Sequence, residues 1–60
     1  MLVTIDIPNE SVADFRALCA RHEIEIQHYA ETGPAGGNPC FDIAVHDRDA
    51  LAALGAFYWG

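Results

Sequence analysis

The chain contains no lysine, and its three arginines, Arg16, Arg21 and Arg48, stand against nine carboxylates, giving a net charge of −6. Nucleic acid and anionic membrane surfaces repel a chain of that sign, which argues against direct DNA or RNA binding and points to basic surfaces as partners. Long apolar runs are missing too. No stretch approaches the roughly 18 residues of a membrane span, so no membrane association is expected. The opening MLVTIDIPNE has neither the basic residues nor the apolar run of a secretory signal, and the expected compartment is a reducing cytoplasm. Cysteine is scarce, with Cys19 and Cys40 the only two. Free thiols are the default there, with a Cys19–Cys40 disulfide left open. Sixty residues leave room for one thin core and none for an enclosed active-site cavity.

What is present is apolar and ordered. Hydrophobic residues make up 52% of the chain, too many for an intrinsically disordered sequence. LVTIDI, residues 2–7, alternates Val3, Ile5 and Ile7 with Leu2, Thr4 and Asp6, the pattern of a half-buried strand. Pro8 ends it. Asn9 or Ser11 then opens a helix over about 10–22, where Ser11 and Asp14 approximate a capping box. Its buried stripe is Val12, Phe15, Leu18 and Cys19. EIEIQHYAE, residues 23–31, alternates again, with Ile24, Ile26, His28 and Ala30 on one face and Glu23, Glu25, Gln27, Tyr29 and Glu31 on the other. CFDIAVH, residues 40–46, sets Phe41, Ile43 and Val45 against Cys40, Asp42, Ala44 and His46. Asp47 caps a second helix over about 48–58, whose apolar side is Leu51, Leu54, Phe57 and Tyr58. Trp59 is expected to close over the core, with an aromatic anchor for a partner or a dimer as the rival reading.

The order is strand–helix–strand–strand–helix. A right-handed crossover brings the second strand parallel to the first, and the third slots between them. The expected fold is a single α+β domain over 1–60. It has a three-stranded antiparallel sheet of order 1-3-2 and both helices on one face, a ferredoxin-like plait without its last strand. If Glu31 and Cys40 begin the hairpin, Ala30 opposes Phe41, His28 opposes Ile43 and Ile26 opposes Val45 on the inner face. The outer face then pairs Tyr29 with Asp42, Gln27 with Ala44 and Glu25 with His46.

That register gathers Asp6, Glu23, Glu25, Glu31 and Asp42 on the uncovered face, with Tyr29 among them, and these six are the candidate partner-binding residues. Like charges side by side destabilise a sheet, so their concentration points to binding rather than to solubility alone. Such a face imitates the charge density of a phosphate backbone, one charge per roughly 1.7 Å of duplex.

The glycine-rich stretch GPAGG, residues 33–37, has no Lys-Ser/Thr and joins two strands, so it reads as a wide hairpin turn and not a phosphate loop, with a partner-contact loop at one end of the acidic sheet as the rival. Cys19 and His22 share a helix face, but no CxxC or HxxxH completes a metal site. Cys40 and His46 stand near 20 Å apart along one strand, too far for a nucleophile and its base. Neither a catalytic residue, a metal nor a cofactor is expected. Thiol chemistry at Cys40 would need a lowered pKa that its acidic neighbours oppose.

In length, acidity, α/β order and lack of a site, and in the stretch EIEIQHYAETGPAGGNPCFDIAVHD, the chain resembles the small acidic anti-CRISPR proteins of bacteriophages that act on type I systems, type I-C included. The family shares no diagnostic motif, so no residue role follows from it. The resemblance implies a stoichiometric inhibitor in the bacterial host cytoplasm, and a monomer is expected in preference to a dimer. It would bind a Cascade or other Cas subunit where target DNA docks. The alternative is a small acidic structural or regulatory module, unrelated to CRISPR, that docks on a basic protein or pairs with itself.

Overall fold

A computed structural model describes residues 1–32 and 37–59 and shows the expected order. Strand β1 (Leu2–Asp6) leads through Pro8 into a single 3-10 turn at Asn9–Ser11 and helix α1 (Val12–Arg21). Strands β2 (Glu25–Ala30) and β3 (Cys40–Ala44) follow, then helix α2 (Arg48–Trp59). The sheet runs β1-β3-β2 with both pairings antiparallel. Residues 33–36, the centre of the expected hairpin turn, lie outside the described residues.

One core holds the molecule together. Ile5, Phe41 and Ile43 of the sheet pack with Phe15, Leu18 and Cys19 of α1 and Ala50 and Leu54 of α2, so both helices cover the same side. Phe15 packs on Phe41 as a tilted pair with ring centroids 4.8 Å apart, and Phe57 of α2 lies 6.0 Å from Phe15. Aromatic contacts of this kind add about 1 kcal/mol each beyond the area they bury.

The helix ends show local sequence at work, with two departures from expectation. Asp47 caps α2 as its chemistry dictates, its Oδ1 accepting from the Ala50 N–H at 2.7 Å. Ser11 makes no side-chain cap. The preceding 3-10 turn, closed by the Ser11 N–H donating to the Pro8 carbonyl at 2.9 Å, takes the chain into α1 instead. Glu23 is not a strand residue. It takes a left-handed φ of 56° just past α1, and the Ile24 N–H donates back to the Cys19 carbonyl at 2.9 Å. That is a Schellman stop, whose left-handed position usually holds glycine. Burial of Ile24 beside Cys19 supplies the apolar contact that holds a glutamate there.

The β2–β3 register corrects the expectation. The pairs are Ala30 with Cys40, Tyr29 with Phe41 and His28 with Asp42. A bulge between Ile26 and His28 then sets Ile26 against Ile43 and Glu25 against Ala44. The extra residue, Gln27, breaks the alternation, so Tyr29 turns to the helix side and His28 to the open side. The energetic reason is visible. Tyr29 lies 4.9 Å from the Phe41 ring, and the Arg16 guanidinium sits over both rings at 5.1 and 5.3 Å. Strict alternation would bury the His28 imidazole instead, a polar group opposite Ile43 with no partner.

The C-terminal aromatics also depart from expectation. Phe57 reaches the core, but Tyr58 is half exposed and Trp59 is 85% exposed, so neither closes over it. Leu51, expected on the buried side of α2, is exposed as well, while Ala50 takes the inner position.

Candidate interaction surface

The open face of the sheet follows from the register as three rows. Leu2, Ala44 and Glu25 form the first, Thr4, Asp42 and His28 the second, and Asp6, Cys40 and Ala30 the third. Across the middle row the Thr4 hydroxyl donates to Asp42 Oδ1 at 2.7 Å. In the first, Gln27 of the bulge donates its Nε2 proton to Glu25 Oε1 at 3.0 Å. Both contacts hold a carboxylate in place on the face. A shallow depression of about 240 Å³ lies between Leu2, Thr4, Gln27 and Asp42.

Of the five carboxylates expected together, the structure brings Asp6, Glu25 and Asp42 onto this face. Glu23 stands at the turn after α1, and Glu31 in the exposed bend past β2. Tyr29 leaves the face for the Arg16 contact. His28 takes a place on it opposite Asp42, a position local sequence could not indicate because nothing in EIQHYA marks the bulge. His46, expected to oppose Glu25, lies beyond β3.

Charge is segregated by element. Arg16, Arg21 and Arg48 all sit on helices, where Glu10, Asp14, Asp47 and Asp49 at or just before the helix starts bring that set to 3 − 4 = −1. Asp6, Glu23, Glu25, Glu31 and Asp42, on strands and their adjoining turns, carry the remaining −5. Nearly all of the net charge therefore belongs to the sheet and its turns, and His28 is the one basic side chain among the described residues of the open face.

Cys40 feels that field. Desolvation pushes its thiol above the usual range, reinforced by the Asp6 carboxylate opposite it and by the charge of Asp42. The thiol thus stays protonated, the opposite of what a nucleophilic cysteine needs. Cys19 is raised too, by burial in the core, with the Arg16 charge acting against it. Both cysteines are free thiols. Among the described residues no three His, Cys, Asp or Glu side chains gather as metal ligands, and no helix is long and apolar enough to cross a membrane.

The fold and this surface define a small α+β domain with one bare, acidic sheet face. No protein-family model, curated protein or solved structure matches the chain.

Proposed function

We propose that this protein binds a basic, nucleic-acid-binding surface of another protein and blocks it stoichiometrically. On the resemblance drawn from its sequence, the target is a subunit of a type I CRISPR effector complex at the place where target DNA docks. The observation that supports this reading most directly is the charge segregation, −5 on the strands and turns with every arginine on the helices. A sheet that only needed solubility would mix signs on its open face. Here Asp6, Glu25 and Asp42 are held on a rigid layer, two of them by hydrogen bonds. Arginine and lysine that otherwise grip phosphates meet these carboxylates instead. Binding of this kind needs no catalytic group. Its strength falls as salt rises, because exposed charges are screened within about 10 Å at 0.1 M.

The test is a gel shift with a purified type I effector complex and its target duplex. The protein is expected to abolish the shift near one equivalent per DNA site, and the Asp6→Lys/Glu25→Lys variant to lose that effect with its circular dichroism unchanged. Glu23→Lys, off the open face, should inhibit nearly as well as the wild type. A shift that persists at large excess, or a double variant that inhibits fully, overturns the proposal.

A further inference from the structure

The two outer strands treat their free edges differently. β2 is guarded by the Gln27 bulge, by Glu25 and by Glu31 just beyond its end, the devices that keep sheet edges from pairing. β1 has no bulge and no proline within it, and its one carboxylate is its last residue, Asp6. Met1, Val3, Ile5 and Ile7 turn their backbone groups toward β3, as the mutual bonds between Met1 and Val45 and the Ile7 N–H donating to Pro39 O show. By the alternation of an antiparallel ladder, the N–H and C=O groups of Leu2, Thr4 and Asp6 point to the vacant side.

Alongside that edge runs a groove of about 330 Å³ between β1 and α2. Val3, Thr4, Ile5, Leu51, Tyr58 and Trp59 line it, and none of its lining residues carries a charged side chain. Among the described residues, five of the six exposed large hydrophobic side chains belong to this edge and the adjoining α2: Met1 (66%), Leu2 (75%), Leu51, Tyr58 and Trp59. Trp59 alone, 85% exposed, offers on the order of 200 Å², about a quarter of the roughly 800 Å² per partner that a stable interface buries.

We infer that the β1 edge pairs with β1 of a second copy of this chain, antiparallel and centred on Thr4. The sequence of β1 is complementary to itself in that register. Thr4 meets Thr4 in a hydrogen-bonded pair, Val3 meets Ile5 on the helix side, and Leu2 meets Asp6 on the open side. The two Asp6 carboxylates are then about four residues, roughly 13 Å, apart along the seam, beyond the screening length at ordinary salt. A basic strand would find no carboxylate in the groove to recognise, whereas a second β1 brings apolar side chains, Val3 and Ile5, to an apolar lining. The two-fold axis stands normal to the sheet. Two three-stranded layers become one of six strands, with the acidic faces on one side and the two α2 helices adjoining on the other.

Sedimentation equilibrium of the purified chain decides it. The wild type is expected at twice the 6.5 kDa chain mass. Thr4→Pro removes an edge donor that β3 does not use, and should return the monomer with an unchanged far-UV spectrum. Trp59→Ser, at an exposed site outside the ladder, should weaken association at least tenfold, and it decides the matter should Thr4→Pro fail to fold. A wild type that stays monomeric at about 1 mM overturns the inference, even where it takes up an added extended peptide. So does a dimer that survives Trp59→Ser undiminished, or one that Glu25→Lys on the opposite edge dissolves.

Discussion

The outer strands β1 and β2 flank the same central strand with opposite fidelity to their own sequence pattern. β1 alternates without interruption, and each residue from Leu2 to Asp6 faces the side its neighbours imply. β2 alternates just as cleanly on paper, yet one inserted residue, Gln27, reverses the roles of His28 and Tyr29. The difference lies in what each strand meets across the sheet. Val3 and Ile5 find Ile43 and Phe41 by regular pairing. On β2 the best contact for Phe41 is an aromatic ring, and the chain yields one residue to deliver it. Local pattern therefore decides a strand when its regular partners are also its best ones.

The comparison breaks most sharply at residues 28 and 29. Tyr29→Ser should cost about 2 kcal/mol by urea unfolding, since it removes a ring pair and a cation–π contact. His28→Ser, at an exposed site, should stay within about 0.5 kcal/mol. Strict alternation demands the reverse order, so equal or inverted losses would refute the bulge.

A smaller effect sharpens the entry to β2. Glu23 holds a left-handed conformation that costs an L-residue about 1 kcal/mol relative to glycine. Glu23→Gly should raise stability by about that amount. A loss would mean that residue 23 belongs to the strand after all.

The smallest effect concerns pH. Both thiols are raised above their unfolded values, Cys19 chiefly by burial and Cys40 by desolvation and then Asp6. Below the ordinary thiol range both states hold these protons, and the contribution is constant. As pH rises through that range the unfolded chain ionises first, so stability falls. The urea midpoint should drop between about pH 7 and pH 9.5, and drop less in the Cys19→Ala/Cys40→Ala variant. An equal drop would assign the effect to other groups.

How much was legible follows the range of each interaction. Element order, the helix-side residues Ile5, Phe15, Leu18 and Ile43, the Asp47 cap and the open acidic face all follow from periodicity and short-range chemistry. The acid set was legible in part. Asp6 and Asp42 sit on strands whose alternation holds, and Glu25 keeps its face because it precedes the bulge. Glu23 was assigned to the strand because nothing before Ile24 marks the helix stop, which depends on the Ile24 N–H reaching back to Cys19.

By itself, the amino-acid order determined one small α+β domain, its strand sequence and its sign of charge, because apolar spacing and carboxylate count are properties of the chain alone. Tertiary structure decided which side of the sheet Tyr29 and His28 occupy, and that Leu51, Tyr58 and Trp59 gather beside the open edge of β1. Those outcomes depend on competition between distant residues for the same partners, Phe41 above all, and such a competition is settled only when the strands and helices meet.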